Sequence, residues 1–296
     1  MMPRTPWPLP YAMCRARHSG PGLVHKPATG WSEGARDRQR LDEALVERGL
    51  AENRSRARAL IMAADVLVNA LPVTRAGASV HSGDEISLKA PPRFVSRGGE
   101  KLDHALNVFG IQVRDLIAAD FGASTGGFTD CLLQRGAARV YAIDVGYGQL
   151  ASRLRADPRV VVIERTNVRH LESLPERVDL VTIDVSFIGL GLVLPAARNL
   201  LNDGGRIVAL VKPQFEAGRA EVGRGGVVRD PLAHRRVLEN LFVTAEERGL
   251  GITGLTPSPL RGPAGNIEFL ATLAPGVSSV PEHDAIEHAL TEAPRE

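Results

Sequence analysis

Residues 115–145 constrain the fold most, because a glycine-rich turn and a helix pattern lie between two apolar runs, 116–121 and 140–145. The turn contains the glycines Gly122, Gly126 and Gly127. This order of elements is typical of a β-α-β unit with parallel strands. Further apolar runs alternate with helix patterns, at 160–163, 180–184 and 206–212. The sequence therefore predicts an α/β fold with a doubly wound, mostly parallel sheet.

The glycine-rich turn predicts a ligand site at the start of its helix. Glycines let the backbone approach a ligand closely, and Asp144, roughly 20 residues further on, can accept hydrogen bonds from ribose hydroxyls. The spacing G-x-x-x-G-G differs from the dinucleotide pattern G-x-G-x-x-G, which favours an adenosyl ligand without phosphates. Asp120, just before the turn, is placed to face a cationic amino-acid moiety of such a ligand. A purely structural turn explains the glycines equally well.

Four charged residues stand in separate apolar settings, namely Lys101, Asp184, Lys212 and Glu268. Burying a charge in such a setting is costly unless an opposite charge meets it. Two lysines and two carboxylates are therefore expected to be partners in one site. Taken singly, each of them is more simply a strand-end charge that reaches solvent.

Several motifs, in order along residues 40–273, resemble those of the TlyA-type ribosomal RNA methyltransferases, once named hemolysins. The motifs are F-G-A-S-T-G-G-F-T-D, D-V-G-Y-G-Q-L, E-R-T-N-V-R, I-D-V-S-F-I, V-K-P-Q-F-E and G-G-V-V-R-D-P. The resemblance extends to the FtsJ-like 2'-O-methyltransferases. It implies a Rossmann-like, seven-stranded sheet and a catalytic tetrad, which Lys101, Asp184, Lys212 and Glu268 match residue by residue.

The resemblance also implies that S-adenosyl-L-methionine is the cofactor and is held by the glycine-rich turn and the strand ends beside it. The expected cofactor residues are Asp120, Gly122, Ala123, Ser124, Gly126, Gly127, Phe128, Asp144 and Asn167. A ribose 2'-hydroxyl is a weak nucleophile near neutral pH, so its attack on a sulfonium methyl needs a base. Lys212 is expected to be that base, because burial and the second cation of Lys101 favour its neutral amine.

Residues 38–90 predict a small N-terminal α+β unit with two short helices and short strands. The segment resembles the S4 RNA-binding domain, whose second helix presents basic residues to RNA phosphates. Three arginines fit that role, namely Arg54, Arg56 and Arg58. An ordinary solvated helix face is the alternative. Ala64 and Ala70 stand where this domain usually has glycines.

The rest of the chain is divided by composition. A proline-rich basic segment, 1–37, predicts a disordered tail, and 91–99 predicts a linker, with Phe94 where relatives often carry tryptophan. The methyltransferase domain is expected over 100–275, followed by a frayed tail or short helix over 276–296. The loop 215–229 has glycines and arginines that suit either a mobile lid or an ordinary flexible loop; the arginines are Arg219, Arg224 and Arg229.

Composition narrows the class of protein. With 296 residues and 44% hydrophobic content, the chain can bury one sizeable core and a small satellite. A net charge of +2 means that RNA binding depends on local basic patches. Two cysteines, Cys14 and Cys131, predict no disulfide framework, and the eight histidines have no zinc-ligand spacing, so no metal is expected. No apolar run is long enough to span a bilayer.

We therefore expect a cytoplasmic, monomeric enzyme that methylates ribose in ribosomal RNA, with cytidine as the target nucleotide implied by the resemblance. Two alternatives remain open from the sequence. A cytolytic, membrane-active protein would need amphipathic surface helices, which the sequence does not suggest. A nicotinamide-dependent oxidoreductase would need a phosphate-cradling glycine pattern, which this chain lacks.

Overall fold

The computed structural model describes residues 38–89, 92–218 and 220–294. The chain divides into two compact units, 1–90 and 91–296. The expected tail at 1–37 lies outside the described residues, and so does Arg219 of the loop expected at 215–229.

The first unit is a small α+β assembly. Its helices are α1 (Leu41–Glu47) and α2 (Arg54–Met62), and its strands are β1 (Arg38–Arg40), β2 (Val66–Val68), β3 (Leu71–Pro72), β4 (Ser79–His81) and β5 (Ile86–Leu88). Strand β1 pairs with β4, and β2 lies between β3 and β5. Helix α2 begins after Asn53, whose side-chain oxygen accepts the Arg56 N–H at 2.9 Å and so caps the helix. Ala57 and Ile61 are the buried residues of α2.

Left-handed backbone occurs at both alanines that replace the usual glycines of this unit. Ala64, just after α2, has φ +60°, and Ala70, between β2 and β3, has φ +65°. This conformation brings a Cβ close to the following carbonyl oxygen, which is why glycine is favoured there. The turns therefore form with alanine, but at a cost in conformational energy.

The second unit is built on a seven-stranded sheet. Its strands are β6 (Ile117–Phe121), β7 (Arg139–Ile143), β8 (Val160–Ile163), β9 (Val178–Ile183), β10 (Leu201–Val211), β11 (Leu250–Pro257) and β12 (Phe269–Pro275). They lie in the order β11-β12-β10-β9-β6-β7-β8. The five strands β6 to β10 pair in parallel, and of the strands described in this sheet only β12 runs antiparallel to both of its neighbours. The expected mostly parallel, doubly wound sheet is confirmed.

Helices cover both faces of this sheet. They are α3 (Gly98–Val108), α4 (Gly127–Gln134), α5 (Ser152–Arg155), α6 (Leu194–Leu200), α7 (Pro213–Glu216), α8 (Pro231–Glu247) and α9 (Glu282–Thr291). Alternate strand residues face two cores: in β6, Ala119 and Phe121 pack with α6, α8 and α9, whereas Ala118 packs with α3, α4 and α5. Both sides of each central strand are therefore buried, which explains the continuous apolar runs. The final helix α9 occupies the segment that the sequence left as a tail or short helix.

The segment expected to be a linker, 91–99, is packed into the second unit from residue 93 onward. Phe94 is 2% exposed, and a Cβ on Gly99 would lie 2.3 Å from its ring. The backbone N–H of Val95 donates to the Asp130 carboxylate at 2.8 Å. Prolines and glycines are typical of linkers, but they also occur where a chain packs closely. The burial of Phe94 shows that residues 93–99 are of the second kind.

Candidate active site

The four charged residues of the predicted tetrad line one cavity of about 1000 Å³. Asp184 directly follows β9, and Lys212 directly follows β10, so parallel strands bring both to the same sheet edge. Glu268 directly precedes β12, which runs the other way; Phe269 pairs with Val211, so Glu268 also reaches that edge. Lys101 lies in the first turns of α3.

The tetrad forms two ion pairs. Lys101 Nζ lies 2.5 Å from Glu268 Oε2, and these side chains are 9% and 1% exposed. Lys212 Nζ lies 2.7 Å from Asp184 Oδ1, with side chains 11% and 25% exposed. Burial raises the pKa of Asp184, and the neighbouring Lys212 and Lys101 act in the opposite direction. The pairing that the sequence predicted in general is thus resolved into two specific partners.

Gln214 and Gly262 complete the surroundings of Glu268. Gln214 Nε2 donates to Glu268 Oε1 at 3.3 Å, and a Cβ on Gly262 would lie 2.5 Å from the same oxygen. The buried Oε1 of Gln214 has no hydrogen-bond partner among the residues that the structure describes. Glu268 is therefore held between a lysine, an amide and a backbone that has room only for glycine.

The glycine-rich turn lies between β6 and α4 beside the tetrad. Gly122 has φ +84°, and a Cβ there would lie 2.8 Å from the Asp184 carbonyl oxygen, so the turn passes directly against the end of β9. Gly126 has φ +99° and precedes α4. The expected cofactor residues that line the cavity are Gly122, Ala123, Ser124, Gly127 and Phe128. Thr125, Ser96 and Arg97 line it as well.

Four expected cofactor residues do not line this cavity, namely Asp120, Gly126, Asp144 and Asn167. The position of Asp120 differs most from the expectation, because its carboxylate is fully buried and accepts hydrogen bonds from Thr129 Oγ1 at 2.7 Å and Thr182 Oγ1 at 3.1 Å. Burial raises its pKa to about 7, and the Asp184 charge adds to this effect. Asp120 thus faces hydroxyls of the core in place of a ligand's amino group.

Asp144 and Asn167 are engaged with backbone amides. The Asp144 carboxylate accepts the N–H of Ser124 at 2.8 Å and of Gly146 at 2.6 Å, and so ties the glycine-rich turn to the end of β7. Asn167 Oδ1 accepts the Arg169 N–H at 3.0 Å, at the start of a short 3₁₀ turn. Asp144 therefore lies beside the glycine-rich turn, and both side chains already have backbone N–H groups as partners.

An aromatic pair at the cavity was not foreseen from the sequence. Phe187 is 90% exposed, has φ +64°, and packs against Phe215 with ring centroids 5.0 Å apart. The loop bearing Phe187 is fixed further on by the Glu216 carboxylate, which accepts the Leu190 N–H at 2.8 Å. Burial raises the pKa of Glu216. An exposed aromatic in left-handed backbone is a costly arrangement of the kind found at functional sites.

The loop over residues 215–229 is tied to the turn that precedes β12. Asn266 is 1% exposed; its Oδ1 accepts the Val228 N–H and its Nδ2 donates to the Gly226 carbonyl, both at 2.9 Å. The ring Nε2 of His234 lies 3.1 Å from the Val228 carbonyl oxygen, and burial lowers the pKa of His234. The end of the loop at residues 226–228 is therefore held by specific hydrogen bonds, which an ordinary flexible loop would lack.

The three arginines proposed for RNA have different surroundings in the first unit. Arg54 Nη2 and Arg58 Nε lie 3.3 Å and 2.9 Å from the Asp42 carboxylate, which is fully buried and also binds Arg40. Hydrogen bonding from Arg40 holds the pKa of Asp42 well below its usual range. The guanidinium of Arg56 has no hydrogen-bond partner among the described residues. Arg54 and Arg58 remain about half exposed, so they can still meet a phosphate.

The described part of the chain has neither a cluster of metal ligands nor a membrane-spanning helix. Within 38–89, 92–218 and 220–294, no group of three or more His, Cys, Asp or Glu is placed to hold a metal ion. No helix in those ranges has the length and apolar character needed to cross a bilayer.

Comparisons with known proteins bear on both units. A model of the FtsJ-like methyltransferase family matches residues 94–274, and a model of the S4 domain matches residues 39–86. The protein named 16S/23S rRNA (cytidine-2'-O)-methyltransferase TlyA of Mycobacterium tuberculosis (strain ATCC 25618 / H37Rv) is 46% identical over 265 residues, covering 87% of this chain and 99% of the relative. Hemolysin A of Brachyspira hyodysenteriae is 43% identical over 235 residues, covering 78% and 98%.

A solved structure named as a hemolysin from Streptococcus thermophilus superimposes with a TM-score of 0.66 at 43% identity, covering 87% of this chain and 98% of that chain. The matches cover both units and nearly the full length of these relatives. The resemblance inferred from the motifs is therefore confirmed. The chain belongs to the FtsJ-like methyltransferases of the TlyA group, and an S4 domain precedes its methyltransferase domain.

Proposed function

We propose that this chain transfers a methyl group from S-adenosyl-L-methionine to the 2'-hydroxyl of a cytidine in ribosomal RNA. The observation that carries the proposal is the pair of lysine–carboxylate contacts, Lys101–Glu268 and Lys212–Asp184, facing one cavity beside a glycine-rich turn. The name of the TlyA relative supports ribosomal RNA and cytidine as the target. Membership of a methyltransferase family favours this reaction over nicotinamide-dependent oxidation and over membrane lysis.

The turn after β6 fits an adenosyl ligand without phosphates. Its cavity-lining residues offer a hydroxyl at Ser124 and apolar surface at Ala123 and Phe128, and residues 122–128 contain no lysine or arginine to neutralise a phosphate. Asp144 follows β7, the next strand in the sheet, where a ribose of the same ligand would be held. When bound, the cofactor supplies an electrophilic methyl group on a positively charged sulfur.

Lys212 is the proposed base, because its amine is held at the cavity by Asp184 and is largely shielded from water. With both lysines protonated, the charges of the two pairs cancel. Once Lys212 is neutral, Asp184 and Glu268 leave the site with an excess of negative charge. That excess favours a cationic methyl donor next to the base, which is the arrangement that methyl transfer to a hydroxyl requires.

Recognition of the RNA is assigned to two surfaces. Phe187 presents an exposed ring at the cavity, and single-stranded bases stack on such rings. In the S4 domain, Arg54, Arg56 and Arg58 are the proposed phosphate contacts. The domain then adds affinity that does not depend on the target base.

The test is single-turnover methylation of ribosomal RNA at saturating cofactor by Lys212→Ala and Lys212→Arg. Both variants should lose about 10²–10⁴-fold in rate, since that is the usual contribution of a general base. Arginine should not rescue, because a guanidinium stays protonated. Calorimetry should show that both variants still bind S-adenosylmethionine. Lys89→Arg, on a lysine of the first unit, is the matched control and should methylate normally.

A near-normal rate for Lys212→Arg would refute the assignment of the base. Mapping of 2'-O-methylation in ribosomes from cells with and without this protein tests the substrate. Loss of methyl groups at cytidines is expected, and an unchanged map would overturn the proposed reaction on ribosomal RNA.

A further inference from the structure

The amine of Lys212 has three acceptors around it. Nζ lies 2.7 Å from Asp184 Oδ1, 2.9 Å from the Val185 carbonyl oxygen and 3.0 Å from Ser186 Oγ. An ammonium group has three N–H donors, so these contacts satisfy the charged form completely.

A base must be neutral, and a neutral amine keeps two N–H groups and one lone pair. The Asp184 carboxylate and the Val185 carbonyl can only accept hydrogen bonds, whereas a serine hydroxyl can donate or accept. Placing the lone pair against either of the first two would oppose two electron pairs. The two remaining N–H groups therefore stay with Asp184 and Val185, and the lone pair faces Ser186.

Exposure of the two side chains points the same way. Ser186 is exposed and lines the cavity, whereas the Lys212 side chain is only 11% exposed. Both residues line the cavity, so a hydroxyl that enters it can meet the more exposed Ser186 Oγ, which lies 3.0 Å from the lysine amine. Among the three residues that contact the amine, Ser186 is the exposed one, and its hydroxyl can both donate and accept.

We propose that Ser186 is a catalytic residue that relays the proton of the ribose 2'-hydroxyl to Lys212, an inference that rests on the proposed function. The 2'-oxygen bonds to the methyl carbon as the sulfur–methyl bond breaks, and the electrons of that bond stay on sulfur. The 2'-hydroxyl proton moves to Ser186 Oγ, and the Ser186 proton moves to Lys212 Nζ. The positive charge lost at sulfur reappears on Lys212, so charge is conserved.

The experiment compares Ser186→Ala and Ser186→Thr with the wild type in single-turnover methylation. Ser186→Ala should lose roughly 10–100-fold in rate, which is less than Lys212→Ala because water can partly replace the hydroxyl. Ser186→Thr keeps a hydroxyl and should stay within about fivefold of the wild type. Ser152→Ala, on an exposed serine of α5 outside the cavity, is the matched control and should be unchanged.

Further readouts separate a relay from a merely structural role. Affinities for S-adenosylmethionine and RNA, measured without turnover, should be unchanged in Ser186→Ala. The wild-type rate in mixtures of light and heavy water should fall along a curve, because two protons move in one step, and Ser186→Thr should keep that curve. Because the chain has only four lysines, the Nζ signal of Lys212 can be resolved by NMR. In Ser186→Ala this signal should still show the ion pair of Lys212 with Asp184.

A Ser186→Ala rate within twofold of the wild type would overturn the relay. So would loss of the Lys212–Asp184 ion pair or a weakened cofactor affinity, because each would assign the lower rate to a change of structure. In both cases an inactive Lys212→Ala would leave the proposed function standing. An active Lys212→Ala would remove the base itself, and with it the relay.

Discussion

Asp120 is expected to make the free energy of unfolding of the second unit depend on pH. Its carboxylate is fully buried, its two hydrogen-bond donors are hydroxyls, and burial raises its pKa to about 7. We expect Asp120→Asn to make the protein more stable at pH 8. Asparagine has nearly the same shape and no charge, and its amide can accept from Thr129 and donate to the Thr182 hydroxyl.

The sign follows from the raised pKa. An aspartate in the unfolded chain titrates near 3.8, so the folded state holds a proton that the unfolded state has released between that pH and about 7. The stability contribution is full below 3.8 and is lost as the pH rises toward 7. At no more than about 1.4 kcal/mol per pH unit, the wild type should lose about 2 kcal/mol between pH 5 and pH 7 from this group. Asp120→Asn should not show that loss.

The assay is urea unfolding followed by far-ultraviolet circular dichroism at pH 5, 6, 7 and 8, with wild type and variant compared at each pH. The stability difference in favour of the variant should grow by about 3 kcal/mol from pH 5 to pH 8. Asp203→Asn, at an exposed position in β10, is the matched control and should follow the wild type. Equal pH dependence in wild type and Asp120→Asn would refute the electrostatic reasoning.

The same variant tests the sequence prediction that Asp120 contacts the cofactor. Since its carboxylate faces Thr129 and Thr182 in the core, Asp120→Asn should bind S-adenosylmethionine within about threefold of the wild type. A loss of about a hundredfold, measured by calorimetry, would restore the contact with the ligand.

Other substitutions address the cofactor, the RNA and the turns of the first unit. Asp144→Ala should weaken S-adenosylmethionine binding by about ten- to a hundredfold in calorimetry and leave RNA affinity unchanged, because a charged hydrogen bond contributes roughly 1.5–3 kcal/mol. Arg56→Ala should reduce the salt dependence of RNA binding, lowering the slope of log affinity against log salt by about 0.7–0.9, without changing stability. Arg58→Ala should reduce the slope too, and it should also destabilise the first unit because Asp42 loses one of its charged partners. Ala64→Gly should stabilise the first unit by about 0.5–1 kcal/mol in urea unfolding, since relief of the left-handed backbone exceeds the added chain entropy; an unchanged or lower midpoint would contradict this.

The sequence predicted the β-α-β unit well, because glycines and apolar runs mark its ends. The predicted runs 116–121 and 140–145 became Ile117–Phe121 and Arg139–Ile143. The sequence also predicted that the four charged residues share one site, and all four line one cavity. Which lysine pairs with which carboxylate could not be predicted, because that depends on distances between α3, β9, β10 and β12 in the folded sheet.

Two other features escaped the sequence for physical reasons. In a sheet covered on both faces, apolar residues do not alternate, so the pattern cannot tell which way Asp120 points. No sequence pattern predicts the left-handed backbone of Phe187, because aromatic residues rarely adopt this conformation. Only the contacts of the folded chain impose it. Arg54 and Arg58 were predicted as RNA contacts from their charge and the resemblance to the S4 domain, whereas their pairing with Asp42 is visible only in the fold.

The strand order explains why the glycine-rich turn and Lys212 lie at the same edge of the sheet. The chain runs from β6 outward through β7 and β8, then crosses back to place β9 on the other side of β6. Ligands bind at such a reversal, outside the carboxyl ends of the strands. Here the reversal brings Gly122 so close to the Asp184 carbonyl that no Cβ would fit between them. Because Asp184 also contacts Lys212, the turn proposed to receive the methyl donor and the proposed base share Asp184 as a neighbour. A glycine at position 122 is therefore needed for the turn to lie this close to the end of β9, which carries Asp184.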